Sequence, residues 1–82
     1  MPWLELIWEW DEEDGNVAHL AQHGVSPEDV EEVFEHSVRH EKSRSSGRPI
    51  VFGYTRDGRR IAVVYERLDD TTVYPVTAYE VE

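Results

Sequence analysis

The chain has 82 residues, a formal net charge of −10 and no cysteine. This length suits one domain, residues 1–82, with a single small core, and it excludes a second domain. No apolar run approaches the roughly 18 residues of a membrane span, and no signal-peptide pattern is present. The sequence therefore predicts a cytoplasmic protein that makes no membrane contact.

The acidic and basic residues are segregated along the chain. Residues 1–38 hold eleven acids and no lysine or arginine, residues 39–67 hold all eight bases against three acids, and residues 68–82 hold four acids. Such a chain can present one basic surface to a polyanion, or can offer its acidic part to a basic partner. Charge alone does not decide between the two.

The N-terminal part predicts a strand followed by a short helix. The even positions of Trp3–Trp10 are all apolar, which is typical of a half-buried strand. Asp11 is an N-cap candidate, but Gly15 weakens the first turn, so the regular helix is expected to begin near Asn16. The apolar stripe that would face a sheet is formed by Val17, Leu20 and Ala21.

A sharp corner leads into a second helix. Gly24 is expected at the left-handed C′ position that closes the first helix. Ser26 is the expected N-cap of the second helix, with Pro27 at N1, and Val25 can pack on Val30 as a hydrophobic staple. The apolar stripe of the second helix is formed by Val30, Val33 and Phe34.

The second half of the chain predicts antiparallel strands. Residues 38–48 are polar and basic, which favours an edge strand that runs into a mobile loop. Thr72–Val81 is the expected last strand, in which Pro75 implies an edge position or a bulge. The predicted fold is therefore α+β with two layers: an N-terminal strand, two short helices, and a three- to four-stranded antiparallel sheet.

A hairpin is expected at the centre of that sheet. Pro49–Arg56 and Arg59–Arg67 alternate in polarity and are joined by Asp57-Gly58, which predicts a two-residue type I′ turn. This register places Arg56 opposite Arg59. The face expected to pack on the helices consists of Ile50, Phe52, Tyr54, Ile61, Val63 and Tyr65. The opposite face, small and mixed in character, is expected to meet solvent or a ligand and consists of Val51, Gly53, Thr55, Arg60, Ala62, Val64 and Glu66.

Four short pieces, spread over nearly the whole chain, carry a family resemblance. They are Trp10-Asp11, Gly15-Asn16 with His19 and His23-Gly24-Val25, the hairpin GYTRDGR at residues 53–59, and Pro75-Val76-Thr77-Ala78. In this order they resemble the BrnT-like branch of the RelE/ParE toxin superfamily. The resemblance implies a RelE-like fold and a metal-independent endoribonuclease that cleaves mRNA without a cofactor. It also implies a cognate antitoxin protein as partner, and a dimer is plausible. The alternative is a catalytically inactive RelE-fold protein-interaction module.

Metal-independent RNA cleavage needs a base, an acid, and cations that stabilise charge on phosphorus. The candidate catalytic residues are Arg48, Arg59, Tyr79 and His23, and the candidate RNA-binding residues are Lys42, Arg44, Arg56 and Arg60. Arg56 facing Arg59 is the sharpest hint, because like charges opposite each other destabilise a strand pair unless an anion relieves them. Solvated arginines at a hairpin tip, packed tyrosines and a helix-end histidine remain open as alternatives.

Two further surfaces complete the sequence-based hypotheses. His19 and His23 are spaced i, i+4, as are His36 and His40, but no cysteine assists them and no metal site is predicted. The acidic helices are either a solvated face or, with the open sheet edge, the surface that receives a basic segment of the antitoxin.

Overall fold

The computed structural model describes residues 5–44 and 47–81. Its elements are β1 (Glu5–Leu6), α1 (Asn16–Gln22), α2 (Pro27–Glu35), β2 (Ser37–Lys42), β3 (Pro49–Tyr54), β4 (Arg60–Arg67) and β5 (Thr72–Glu80). The strands form one five-stranded sheet in the order β1-β5-β4-β3-β2. Because β1 runs parallel to β5 and the other pairs are antiparallel, the sheet is mixed. The predicted α+β class is confirmed.

The N-terminal strand is shorter than predicted. β1 covers two residues, although the Ile7 N–H still donates to the Val73 carbonyl at 3.0 Å. Trp10 is largely exposed, so the expected apolar face does not extend along the whole segment. Residues 3 and 4 of the predicted strand, and residues 45 and 46 of the predicted loop, lie outside the described residues.

Asp11 does not cap α1, contrary to the prediction. Its Oδ1 accepts from the N–H groups of Glu13 and Asp14, each at 2.9 Å, and closes a turn that precedes the helix. α1 begins at Asn16, where the sequence placed the start of regular helix. Of the predicted stripe only Leu20 is fully buried, and Ala21 is exposed.

Asn16 joins three segments of the fold. Only 3% of the residue is exposed, and its Nδ2 donates to the carbonyls of Ile7 and Pro75, both at 2.9 Å. Its Oδ1 accepts from the Glu9 N–H at 2.9 Å. Both N–H donors and the carbonyl oxygen thus have a partner, as is usual for a buried amide. The side chain fixes the start of α1 against β5 and the chain that follows β1.

The corner between the helices has the predicted geometry. Gly24 has φ +73°, and it donates to the Ala21 carbonyl while Val25 donates to Leu20, which is the bonding pattern of a Schellman motif. Ser26 is the N-cap of α2, and with Asp29 it forms a reciprocal capping box. Val25 and Val30 both lie in the buried core.

The β3–β4 hairpin has a different turn from the predicted one. Tyr54 pairs with Arg60, and the Thr55 N–H donates to the Arg59 carbonyl at 2.9 Å, so three residues form the loop instead of two. Gly58 has φ +87°, whereas Asp57 does not have a positive φ. The turn is therefore type I followed by a G1 bulge, and the predicted type I′ turn is wrong. Arg56 does not face Arg59.

This one-residue change of register turns β3 over. The β4 residues predicted to face the helices, Ile61, Val63 and Tyr65, are buried in the core as expected. In the facing segment, however, Val51 and Gly53 of β3 are buried together with Thr55, which follows the strand, while Tyr54 is 45% exposed. The prediction that Ile50, Phe52 and Tyr54 pack on the helices is wrong.

Gly53 explains why β3 presents this face to α2. A Cβ built on Gly53 would lie 2.5 Å from the Val33 carbonyl oxygen and 2.9 Å from that of His36. These backbone atoms cannot retreat cheaply, so α2 packs at this distance only above a glycine. The helix thereby selects the register that places Gly53, rather than Tyr54, beneath it.

β2 and β5 have the features that the sequence predicts for them. β2 is an edge strand, exposed throughout, with a bulge between Ser37 and Arg39. β5 has a register shift beside Pro75, which is the predicted bulge. Within the described residues, no helix is long and apolar enough to cross a bilayer.

Two substitutions in β3 distinguish the observed register from the predicted one. Gly53→Ala is expected to lower the free energy of unfolding by about 2–3 kcal/mol, because its methyl group meets the α2 backbone. Tyr54→Ala is expected to cost less than about 1 kcal/mol, since the ring faces away from the core. Urea denaturation of both variants measures these losses. A large loss for Tyr54→Ala with a neutral Gly53→Ala would favour the two-residue turn.

Candidate nucleic-acid interface

The sheet face opposite the helices carries aromatic and cationic side chains in two adjacent rows. The first row crosses four strands and, by direct pairing, consists of Arg39, Phe52, Ala62 and Tyr79. The second row places Tyr54 opposite Arg60. Residues paired across strands have Cβ atoms about 4.5–5.5 Å apart, so these side chains form one surface. We call Arg39, Phe52, Tyr54, Arg60 and Tyr79 the aromatic patch.

The aromatic patch offers flat rings to solvent around a small centre. Ala62 is fully buried beneath its neighbours, whereas Tyr54 is 45% and Tyr79 is 40% exposed. Exposed rings on a strand platform are the means by which proteins stack the bases of single-stranded nucleic acids. The patch therefore has the shape and chemistry to hold flat, aromatic ligand groups.

Arg60 is the cation at the edge of these rings. Its guanidinium carbon lies 5.8 Å from the centroid of Phe52, within cation–π distance. The Arg60 Nε is buried and has no hydrogen-bond acceptor among the described residues. A buried donor without a partner is uncommon in folded proteins and costs free energy until an acceptor arrives. Because this Nε is closed to solvent, an anionic oxygen bound at the patch can become its acceptor only if the guanidinium shifts.

Arg39 is the second cation of the aromatic patch. Its Nε lies 2.5 Å from Glu41 Oε2, and both side chains are substantially exposed. Exposed ion pairs contribute little to stability, so Arg39 can exchange Glu41 for another anion at small cost. Arg39 lies opposite Phe52 and thus extends the patch towards the β2 edge.

Arg59, a predicted catalytic residue, is bound to the helix layer instead. Its Nη2 lies 2.8 Å from Asp29 Oδ2, its Nη1 donates to the Gly24 carbonyl at 3.0 Å, and its Nε lies 3.2 Å from Asp57 Oδ2. The same Asp29 oxygen accepts from the Ser26 N–H in the capping box. We call this set of bonds the Arg59 latch, since it ties the hairpin tip to the corner between the helices.

The hydrogen bonds of the latch favour the charged states of Arg59 and Asp57. Hydrogen bonding to Asp29 is the main cause that raises the pKa of Arg59, with a smaller contribution from Asp57. The Thr55 hydroxyl, which donates to the Asp57 carboxylate, is the main cause that lowers the pKa of Asp57. The cation is thus already neutralised by two carboxylates, and its attraction for an RNA phosphate is reduced accordingly.

Arg56 also contacts α2. Its Nε lies 3.2 Å from Glu32 Oε2, and its backbone N–H donates to the same carboxylate at 3.1 Å. The Arg56 side chain is nevertheless 91% exposed, against 29% for Arg59. Both hairpin arginines therefore interact with helix acids, but only Arg59 is held in a partly buried site.

The basic residues of the β2–β3 connection lie at the far end of the sheet. Lys42 pairs with Pro49, five residues along β3 from Tyr54, which is about 17 Å at the rise of an extended strand. Arg44 follows Lys42 along the chain, and Arg48 precedes Pro49. The Ser43 N–H donates to the Arg48 carbonyl at 2.7 Å. Of the predicted set, only Arg60 and Tyr79 belong to the aromatic patch.

His23 lies in the helix layer, away from the aromatic patch. It is the C-cap of α1, and its ring packs edge-on against His19 with centroids 5.3 Å apart. His19 Nε2 lies 3.1 Å from Thr77 Oγ1. Within residues 5–44 and 47–81, no three His, Asp or Glu side chains are arranged to hold a metal ion.

Arg39, Phe52 and Tyr54 were not predicted from the sequence as members of a site. Arg39 was part of the basic segment but was not singled out, and the two aromatic residues were assigned to the core. The sequence did contain a signal for the observed register. Gly58 can occupy the third position of a three-residue loop, because Asp-Gly also suits a type I turn with a G1 bulge. That register would have placed both rings on the open face.

Comparisons with known proteins leave the site to be interpreted from its own geometry. The chain matches no protein-family model, no curated protein and no solved structure.

The Arg59 latch is expected to couple the hairpin to the corner energetically. A double-mutant cycle of Arg59→Ala and Asp29→Ala should give a coupling free energy of about 1–2 kcal/mol, because the pair is partly buried and hydrogen bonded. Asp29→Ala also removes the capping box, but this loss occurs with and without Arg59 and therefore cancels in the cycle. The free energy of unfolding of the four proteins gives the coupling.

The matched control is the Arg56–Glu32 pair, which joins the same hairpin to the same helix at the surface. Its coupling should be below about 0.5 kcal/mol, as for other exposed pairs. Equal coupling in the two cycles would show that Arg59 is an ordinary surface arginine.

Proposed function

We propose that this protein is a toxin of the BrnT-like branch of the RelE-type toxins, and that it acts on RNA in the cytoplasm through the aromatic patch. Two lines of support converge. The four sequence pieces that resemble this branch occur in order along the chain. Independently, the sheet face opposite the helices combines exposed rings with arginines, which suits single-stranded RNA.

The observation that carries the proposal is the environment of Arg60. The side chain combines a buried Nε that lacks an acceptor, a guanidinium over Phe52, and a position directly opposite Tyr54. An arginine stacked on a ring is pre-organised to bind phosphate, because its donors are fixed in direction before the ligand arrives. RNA provides a phosphate oxygen and an adjacent base that could use both features at once.

The same geometry suggests roles in cleavage. Attack of a ribose 2′-OH on the adjacent phosphate places extra negative charge on the phosphorus oxygens, which Arg60 would stabilise. Tyr79 lies diagonally across β4 and β5 from Arg60, since the Val81 N–H donates to the Arg60 carbonyl. Tyr54 and Tyr79 thus flank the cation, and a tyrosine hydroxyl can transfer a proton to or from the reacting oxygens. Arg59 would serve as a positioning residue for the hairpin.

The net charge of −10 does not oppose this role as strongly as it first suggests. Eleven of the acids belong to residues 5–38, which form β1, the helices, their connections and the start of β2. Glu28, Glu31 and Glu35 line an exposed stripe of α2, on the layer that covers the opposite face of the sheet. The repelling charge is therefore concentrated away from the aromatic patch.

A catalytically inactive interaction module is the second candidate. The observation that favours it is the Arg59 latch, because one cation predicted for catalysis is already bound by Asp29 and Asp57. In such a module the aromatic patch would bind a partner without cutting RNA.

Cleavage of mRNA, with and without ribosomes, tests the two candidates. The wild-type protein should cut RNA, Arg60→Ala should reduce the rate by about 100-fold or more, and Tyr79→Phe by about tenfold or more, since each removes a group placed at the reacting phosphate. Arg67→Ala is the matched control. It removes the same charge from β4 at a residue paired with the buried Val73, and it should keep the wild-type rate.

Binding of a fluorescently labelled single-stranded RNA separates the remaining outcomes. Binding that depends on Arg60 and Phe52 without cleavage would identify the inactive module. Cleavage that persists in Arg60→Ala would reject the patch as the active site and return attention to Arg48 and His23.

The antitoxin partner is proposed for the opposite layer and the sheet edge. The acidic stripe of α2 and an exposed edge strand suit a basic segment that docks by charge and by strand addition. Co-purification with the product of the neighbouring reading frame should succeed at low salt, and should weaken when Glu28, Glu31 and Glu35 are changed together to Gln. Recovery of nothing at low salt would contradict the partnership.

A further inference from the structure

β2 is an open sheet edge, and its outward backbone groups have no partner strand among the described residues. It is the outer strand of the sheet, it pairs with β3 on one side, and all six of its residues are exposed. The Ser43 N–H donates to the Arg48 carbonyl, which fixes the direction of alternate backbone groups. Because alternate residues of a strand direct their backbone N–H and C=O groups to the same side, those of Glu41 and Arg39 also face β3. Those of His40 and Lys42 therefore point outward, away from the sheet.

Only some pairings of this edge with a second copy are chemically permitted. An antiparallel neighbour must bring outward-facing backbone groups opposite each other, which restricts the register to steps of two residues. With His40 opposite His40 of the other copy, Arg39 of each chain lies opposite Glu41 of the other. Arg39 and Glu41 already share one sheet face and form an ion pair within the strand. The β2 edge is thus complementary in charge to itself.

The adjacent registers are opposed by the same charges. A shift of two residues in one direction places Arg39 opposite Arg39, and a shift in the other direction places Glu41 opposite Glu41. Like charges directly opposite each other destabilise a strand pair. The sequence of β2 therefore favours one register of pairing with a second copy. An edge strand whose charges served only to prevent pairing would not need such a preference.

We propose that two copies of this chain associate through antiparallel β2 edges, with His40 at the two-fold axis, to form a continuous ten-stranded sheet. Both aromatic patches then lie on the same face of that sheet, because the axis is perpendicular to it. A contact of two six-residue strands falls below the roughly 1,200 Å² of a stable complex, so the dimer is weak and depends on protein concentration. This inference does not depend on the proposed action on RNA, and a β2 edge paired with a second copy is closed to strand addition by the proposed antitoxin.

Sedimentation equilibrium of the full chain, from about 10 µM to about 1 mM, tests the proposal because weak dimers populate in this range. The wild-type mass should rise with concentration. Arg39→Glu and Glu41→Arg should each raise the dissociation constant by about tenfold or more, since each variant places like charges opposite each other at two sites. The double variant, Arg39→Glu with Glu41→Arg, restores both contacts and should return within about threefold of wild type.

A backbone variant provides the second, independent test. His40→Pro removes an N–H that has no partner in the part of the monomer that the structure describes, so circular dichroism and thermal unfolding should show a folded protein that remains monomeric. A wild-type protein that is monomeric at the highest concentration would overturn the proposal. So would equal association of the single and double charge variants, or a folded His40→Pro variant that dimerises like wild type.

Discussion

The Arg59 guanidinium is the contact on which the arrangement of the layers depends. It donates to the Gly24 carbonyl, just after α1, and to the carboxylate of Asp29, in the first turn of α2. Asp57 holds the same guanidinium from the hairpin side. The corner and the hairpin are each determined by local sequence, but neither specifies where it meets the other. The Arg59 latch contributes that information together with the packing of the buried helix residues on the sheet, and it shows how a cation in an acidic protein can be structural.

The latch and the turn act together on the sheet. Thr55 is buried, its hydroxyl donates to Asp57 and accepts from the Arg59 N–H at 3.2 Å, so the loop closes over three residues. The register that results places Gly53 beneath α2, at a distance that no other residue permits. The large rings of the same strand are therefore displaced to the open face. Helix packing and the chemistry of the open face are two consequences of one register.

Local motifs were predictable from the sequence, whereas the register was not. The corner at Gly24 and Ser26 is specified by a glycine with positive φ and by a capping side chain, and all its hydrogen bonds join residues at most five apart, so its geometry could be derived before the structure. The Asp-Gly hairpin allows two loop lengths, and the choice between them depends on Thr55 and on contacts with α2 that lie far away in sequence. Arg60 and Tyr79 were identified as candidates, but Phe52 was assigned to the wrong face for this reason.

Charge segregation along the sequence is not the same as segregation in space. The basic segment 39–67 supplies both layers: Arg56 and Arg59 interact with acids of α2, while Arg39 and Arg60 remain on the open face. Two arginines release few counterions from a polyanion, and the remaining acids repel it over about a Debye length. Any attraction of the aromatic patch for RNA must therefore come chiefly from stacking and from close contact with Arg60, which act only once a base and its phosphate are in place.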